Sequence, residues 1–580
     1  MKLTTWFIVP VFLLLGCSKT PKGDAPQPPF LASESQNTTP TYEEGIAFWQ
    51  EMAEYYDEIS IHAYGMTDAG EPLHLVVVDG ERPKPIGSYK TSLKQTLLIN
   101  NAIHPGEPDG VDASMLLVHE LMTEPRSKAL LKNTSIVIIP FYNIGGSLNR
   151  NSHSRANQNG PEEYGFRGNA QNLDLNRDFT KCDSRNALTF ATLVNELDPD
   201  FYIETHVSNG ADYPYVMTYL STQEDKIGGS ITNKLRNEWT PFMVKTMSKA
   251  GFNMCPYVNV HGESPENGYA TFYDQPRYST GYLALKGIPG YITETHMLKP
   301  YKQRVLATQE FLRAGLTLLA KHKVREEVER TRSAFRNQTE MPLDWELDSS
   351  AVRAMIFDGY QAAYKPSEVT GEPRLYYDRN QPYSTKIPYF YGMKPTHMIR
   401  PPRYYILKRG FREVESVLRA NGVELETFGK DTQLQMEVYT IDTFSTVTQP
   451  YEKHYYHYNT RVKKSIKTVH IAKGDWLIKL DNKHRRFLVE VLEPEAPDSY
   501  FNWNFFDAIL QQKEWYSAYV FEDEAAELLK TNDDLRNKFE EKKRTEPWFE
   551  ASARAQLYWV YQHSNRYEKA HLRYPVYRAN

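Results

Sequence analysis

Three short apolar runs, far apart in this chain of 580 residues, each lead into side chains that bind metals or carry protons. Short runs of β-branched and aromatic residues are typical of buried strands. The runs span residues 97–99, 201–203 and 290–293, and they lead to His104 with Glu107, to His206 and to Glu294. In an open α/β sheet the carboxyl ends of the strands converge on one crevice, so we expect these side chains to meet there.

Two histidines and one glutamate form a three-ligand zinc set with the fourth position left for water, which is the catalytic rather than the closed structural pattern. His104 and Glu107 lie in one turn and can reach the same ion, while His206 completes the set from another strand end. Glu294 is then available as a general base. The pattern predicts a hydrolase with Zn²⁺ as its cofactor.

A second signature lies at residues 172–179, between these segments. Asn176 and Arg177 place an amide beside a guanidinium, and arginine binds a carboxylate with two parallel hydrogen bonds. Such a pair would bind the free carboxylate at the C-terminus of a peptide.

With these motifs in this order, the chain resembles the zinc carboxypeptidases of the carboxypeptidase A type over about residues 45 to 325. The resemblance leaves the second half of the chain uncovered. It implies that His104, Glu107 and His206 bind zinc, that Asn176 and Arg177 hold the terminal carboxylate of a peptide substrate, and that Glu294 is the catalytic base.

The resemblance also implies two residues that no motif identifies by itself. One is an arginine that polarises the scissile carbonyl, for which Arg167 is our choice and Arg155 the alternative. The other is a mobile tyrosine that closes over bound substrate. Tyr278 is our choice for it, and Tyr273 and Tyr282 fall in the same window.

Strand and helix patterns alternate through the first half, which predicts an α/β domain with a mixed, largely parallel sheet and flanking helices over residues 41–336. Residues 345–580 predict a C-terminal accessory domain of unknown role, mixed and β-rich first, then ending in helices. The stretch 337–350 is the predicted boundary. Residues 451–457, rich in Tyr and His, are interpreted as a solvated strand or loop. Helices are predicted at 43–56, 110–121, 183–197, 301–335, 522–543 and 550–562, and strands at 73–78, 135–141 and 474–480.

The N-terminus predicts export and membrane anchoring. A positive start and a short apolar run are typical of a signal peptide over residues 1–16. The sequence Leu-Leu-Gly-Cys that ends at Cys17 resembles the lipobox of bacterial lipoproteins, which implies lipidation of that cysteine. Residues 17–40 have the composition of a flexible tether. We therefore expect a lipoprotein of the cell envelope, facing the periplasm or the exterior.

The charge balance argues against nucleic acid as a partner. Basic side chains number 68 and acidic ones 73, for a net charge of −5 at neutral pH, and no local basic stripe is present. Apart from Cys17, only Cys182 and Cys255 remain, and the sequence leaves open whether they pair.

The leading hypothesis is a zinc metallocarboxypeptidase that removes C-terminal residues from peptides at the cell envelope. One alternative keeps the zinc but cleaves another amide, as a deacylase or cell-wall peptide amidase. A further alternative is a lipid-anchored protein that binds peptide or glycan through an inactive peptidase-like domain. Side-chain specificity and oligomeric state stay open.

Overall fold

The computed structural model describes residues 24–261, 264–480 and 483–579. The predicted signal peptide and the predicted lipidation site Cys17 therefore lie outside the described residues. Within the described ranges, no helix is both long enough and apolar enough to cross a bilayer.

The described residues contain seventeen strands, numbered in chain order. They are β1 Ile59–Met66, β2 Pro72–Asp79, β3 Gln95–Asn100, β4 Thr134–Ile139, β5 Phe201–Ser208, β6 Met217–Ser221, β7 Met254–Pro256, β8 Tyr269–Ala270, β9 Gly290–His296, β10 Met341–Pro366, β11 Pro373–Ile399, β12 Tyr404–Leu407, β13 Glu426–Thr427, β14 Thr432–Thr446, β15 His457–Ile471, β16 Trp476–Lys479 and β17 Val576–Ala579.

The helices of eight residues or more in the same ranges are numbered separately. They are α1 Tyr42–Tyr55, α2 Asp109–Thr123, α3 Arg185–Leu197, α4 Thr240–Lys249, α5 Tyr301–Lys321, α6 Val324–Asn337, α7 Arg412–Ala420, α8 Arg485–Leu492, α9 Ala518–Thr531, α10 Asp533–Thr545 and α11 Ala553–Gln562.

An eight-stranded sheet forms the centre of the first half, in the order β1-β2-β4-β3-β5-β9-β6-β7. The central pairs β4-β3, β3-β5 and β5-β9 are parallel, whereas β1-β2, β2-β4 and β9-β6 are antiparallel. Leu97 and Ile99 of β3 pack into the core on one face of the sheet, and Leu98 packs into the core on the other. Because both faces are buried, the strand is a continuous apolar run. The predicted mixed, largely parallel sheet is confirmed.

The second half is β-rich first and helical toward its end, as predicted, and the short strand β17 follows the last helix. The long hairpin β10-β11 pairs through β11 with β8 of the first half, and a six-stranded sheet has the order β13-β16-β12-β17-β14-β15. One hydrophobic core contains residues of both halves, with Leu98 and Phe190 from the first and Tyr405 and Phe487 from the second. The chain therefore does not separate into two cores at the predicted boundary.

Several predicted limits differ from the observed ones. The single helix predicted at 301–335 is two helices, α5 and α6, and the one predicted at 522–543 is likewise two, α9 and α10. The predicted boundary 337–350 contains the start of β10 at Met341. Apolar spacing continues across such breaks, so periodicity alone does not reveal them.

The described part of the predicted tether, residues 24–40, packs against the first half. Phe30 is 1% exposed, and its ring makes an edge-on contact with Tyr301 at 6.1 Å between centroids. Thr39 donates a hydrogen bond to the buried Asp112. Here the structure differs from the prediction. The polar, proline-rich composition is typical of a flexible tether, but burial of one aromatic ring and one hydroxyl group stabilises the packed segment.

Candidate metal and substrate site

The predicted ligands come together at the carboxyl ends of neighbouring strands. His104 and Glu107 lie in the turn between β3 and α2, and His206 lies in β5, which pairs with β3. Close packing fixes the turn, because a Cβ on Gly106 would lie 2.6 Å from Cδ of Arg155. Only glycine fits at that position without displacing the arginine.

The three side chains form a compact buried cluster. Their ligand atoms all lie within 4.8 Å of one another. Oε2 of Glu107 is 3.0 Å from Nδ1 of His206 and 3.4 Å from Nδ1 of His104. Two imidazole nitrogens and a carboxylate are a catalytic zinc donor set, so these residues fit the ion.

The surroundings of the cluster favour positive charge. Burial alone would lower the pKa of His206, but hydrogen bonds to Glu107 and Glu204 raise it to about 10. Burial also opposes ionisation of Glu107, yet Arg155 and His104 hold the pKa of Glu107 well below its usual range. A site that stabilises a buried imidazolium in this way is also suited to a divalent cation.

Each histidine contacts a second carboxylate through Nε2, its other ring nitrogen, and the sequence analysis did not assign either carboxylate. Nε2 of His104 lies 2.9 Å from Oδ1 of Asp174, and Nε2 of His206 lies 2.7 Å from Oε1 of Glu204. A carboxylate on the far nitrogen fixes the ring orientation and makes the ligand nitrogen more basic. For Glu204 a signal was available, since it lies two residues before His206 on the same face of β5.

Glu294 lies beside the cluster. In the parallel pair β5-β9, Glu294 is the register partner of His206, and its partly exposed side chain lines the same cavity. Desolvation of this carboxyl group within the cavity raises the pKa of Glu294 to about 8, against the attraction of His206. The carboxyl group can therefore hold or release a proton near neutral pH.

A cavity of about 480 Å³ extends from the cluster to Asn176 and Arg177, the predicted clamp for the substrate carboxylate. Both residues line the cavity and lie in a short helical turn at Leu175–Arg177. Oδ1 of Asn176 is buried without a hydrogen-bond partner among the described residues. Arg177 donates to the backbone oxygen of Asn176 at 2.8 Å, and its guanidinium lies 4.7 Å from the ring centre of Tyr278. The amide and the guanidinium therefore stand together at this end of the cavity.

Both arginines considered for the scissile carbonyl line the cavity. Arg155 donates to Oε1 of Glu107 at 2.8 Å, and its side chain is 15% exposed. Arg167 donates to Oδ2 of Asp174 at 2.8 and 3.0 Å, and its Nη1 lies 3.3 Å from Nδ1 of His104. The side chain of Arg167 is 45% exposed. Arg167 is thus the more exposed of the two.

Of the three candidate tyrosines, Tyr278 lines the cavity. Tyr273 donates to Asp344 at 2.9 Å, and the buried Tyr282 donates to Asn421 at 2.6 Å. Tyr273 and Tyr282 are not among the residues that line the cavity, and the role of Tyr278 as the mobile tyrosine stays a prediction.

Three further side chains, those of His296, Cys182 and Cys255, are not among the residues that line the cavity. His296 lies 3.0 Å from the backbone oxygen of Ala211, and burial lowers its pKa to about 4. Cys182 and Cys255 are both buried free thiols.

Comparison with known proteins gives a match over part of the chain. Residues 46–265 match the family model described as zinc carboxypeptidase. No curated protein sequence matches the chain.

Solved structures that are similar to the chain include three carboxypeptidases. The metallo-carboxypeptidase from Burkholderia cenocepacia has 18% identity and a TM-score of 0.37, over 49% of this chain and 69% of that one. The carboxypeptidase A from Helicoverpa armigera has 15% identity and a TM-score of 0.37, over 49% and 74%. The metallo-carboxypeptidase from Pseudomonas aeruginosa, in complex with (2-guanidinoethylmercapto)succinic acid, has 13% identity and a TM-score of 0.37, over 50% and 70%.

Proposed function

We propose that this chain, which carries a zinc carboxypeptidase domain matched over residues 46–265, is a metallocarboxypeptidase that removes C-terminal residues from peptides. One observation carries the proposal: the His104, Glu107 and His206 cluster opens into the same cavity as Glu294 and the Asn176-Arg177 pair. A ligand set, a base and a carboxylate clamp around one space are what removal of a terminal residue requires.

His104, Glu107 and His206 would hold the zinc ion. When bound, zinc supplies Lewis-acid polarisation and activates water as a nucleophile near neutral pH. Asp174 and Glu204 keep the two imidazoles oriented for this role, since each accepts a hydrogen bond from the far ring nitrogen.

The remaining chemistry belongs to side chains around the cavity. Arg177 and Asn176 bind the terminal carboxylate and place the last peptide bond near Glu294. Arg167 donates to the carbonyl oxygen as negative charge develops on it. Glu294 accepts the proton of the attacking water and delivers it to the leaving amine, a role that suits a carboxyl group with a raised pKa.

Glu294→Gln tests this assignment. Glutamine keeps the shape of the side chain but cannot accept a proton from water and pass it on, so we expect normal zinc content and a fall in kcat of about 10²- to 10⁴-fold. Glu51→Gln, on the exposed face of α1, is the matched control. Unchanged turnover in Glu294→Gln would reject the role of base.

Free-acid and C-terminally amidated forms of one peptide test the clamp. Cleavage restricted to the free acid supports the carboxypeptidase, whereas equal rates favour the deacylase or amidase alternative. A purified protein that carries no zinc after expression with the metal would support the inactive, binding alternative.

The proposed location is the cell envelope, with a lipid anchor at Cys17. The support is the short apolar leader that ends in Leu-Leu-Gly-Cys. Incorporation of labelled palmitate that is lost in Cys17→Ser would support the anchor, and equal labelling of both proteins would contradict it.

A further inference from the structure

A tight turn in the second half lies against the stretch that carries the clamp. Within the connection between β14 and β15, the backbones of Tyr451 and His454 exchange hydrogen bonds of 2.8 and 3.0 Å. Glu452 and Lys453, between them, have φ values of 48° and 75°. Two successive left-handed residues define a type I′ turn, for which Asn-Gly is the favoured sequence. Large side chains are strained there, and such strain persists only where other contacts impose it.

The side chains of this turn reach both ends of the stretch from Asp174 to Asp183. Oε2 of Glu452 accepts a hydrogen bond from the backbone nitrogen of Asp174 at 2.8 Å. Nε2 of His454 donates to Oδ2 of Asp183 at 2.7 Å, and Nζ of Lys453 lies 3.8 Å from Oδ1 of the same buried carboxylate. The turn therefore holds the clamp segment from outside the cavity.

The same turn contacts the segment that carries Tyr278. The guanidinium of Arg277 lies 5.7 Å from the ring centre of Tyr451. Arg277 is also bound by Asp498 of the second half, through its backbone nitrogen at 2.7 Å and through Nε at 2.9 Å. Tyr278 follows Arg277 in the chain, and its ring lies under the guanidinium of Arg177. The second half therefore contacts both the segment that carries the clamp and the segment that carries Tyr278.

We infer that the Tyr451–His454 turn positions the substrate-carboxylate clamp and that Glu452 is its positioning residue. Glu452 fixes the backbone of Asp174, whose Oδ1 lies 2.9 Å from Nε2 of His104 and accepts from the backbone nitrogen of Asn176, also at 2.9 Å. One hydrogen bond from the second half thus orients residues at the clamp and beside the metal cluster. This inference rests on the proposed function and assigns the second half a part in substrate binding.

Glu452→Ala and Glu452→Gln, in the full chain, test the inference. Alanine removes the acceptor, whereas glutamine retains an oxygen that can accept from Asp174. For a free-acid peptide we expect Glu452→Ala to raise KM about tenfold, as for the loss of one hydrogen bond to a charged group, with a smaller change in kcat. Glu452→Gln should stay within about twofold of wild type.

Binding is measured separately from turnover. In the Glu294→Gln background, calorimetry with the same peptide should give a Kd about tenfold higher when Glu452→Ala is added, at unchanged zinc stoichiometry. Asp442→Ala is the control, because this residue lies on the same hairpin in an exposed pair with Lys463. Should Glu452→Ala not fold, Glu452→Asp keeps the charge but shortens the reach, and the same increase in KM is expected.

Two results would overturn the inference: KM and Kd in Glu452→Ala that equal those of Asp442→Ala, or a Glu452→Gln variant as impaired as the alanine variant. These outcomes differ from failure of the proposed function. Turnover that does not need Glu294 counts against the carboxypeptidase, whereas turnover that needs Glu294 but ignores Glu452 counts against the turn alone.

Discussion

Glu204 lies behind His206, on the side away from the cation position, and its charge acts on that position through the imidazole ring. Oε1 of Glu204 is 2.7 Å from Nε2 of His206, and the side chain is fully buried. Its other oxygen accepts from Asn100 at 3.2 Å and from the hydroxyl of Tyr202. Glu204→Gln therefore changes the charge of a carboxylate whose position is fixed on both sides.

We expect Glu204→Gln to weaken zinc binding about 10- to 100-fold, which corresponds to roughly 1.4–2.7 kcal/mol. The amide oxygen of glutamine still accepts from Nε2 of His206. The hydrogen bond becomes neutral, however, and neutral bonds are roughly half as strong as those to an ionised group. The imidazole is then a weaker electron donor toward the ion.

Competition against a fluorescent zinc chelator gives the affinity, and circular dichroism checks that the variant is folded. Glu196→Gln is the matched control, because Glu196 also accepts from a tyrosine hydroxyl, that of Tyr64 at 2.8 Å, but at the protein surface. A folded Glu204→Gln variant that binds zinc within about twofold of wild type would refute the reasoning.

Two further predictions concern proton linkage and the N-terminal segment. In the metal-free protein the pKa of His206 is raised to about 10, so near neutral pH the ring carries a proton that zinc must displace. Zinc affinity should therefore rise about tenfold per pH unit between about pH 6 and 9. Calorimetry in buffers of different ionisation enthalpy should detect one proton released for each zinc ion bound. Zinc binding without transfer of a proton to the buffer would contradict this prediction. Phe30→Ala should lower the free energy of unfolding by about 3–5 kcal/mol, because it removes a fully buried ring, and denaturant unfolding measures it. An unchanged midpoint would instead support the predicted tether.

The sequence by itself was enough to predict the central strands and the meeting of four polar side chains at the strand ends. Leu97, Leu98 and Ile99 form a continuous apolar run because both faces of β3 are buried, and the polar residues after such a run must lie at the edge of the sheet. For that reason His104, Glu107, His206 and Glu294 could be placed together from their positions after predicted strands. The apolar run of a buried strand is a local sequence pattern, so it can be recognised without knowledge of the neighbouring strands.

Only the tertiary structure decided which partners these residues have. Glu452 meets the backbone of Asp174 across 278 positions of sequence, through contacts of two halves that share one core. Asp174 could not be assigned to His104 for the same reason. A hydrogen bond depends on distance and angle to within a fraction of an ångström, and the packing of sheets and loops, rather than any repeat along the chain, sets both.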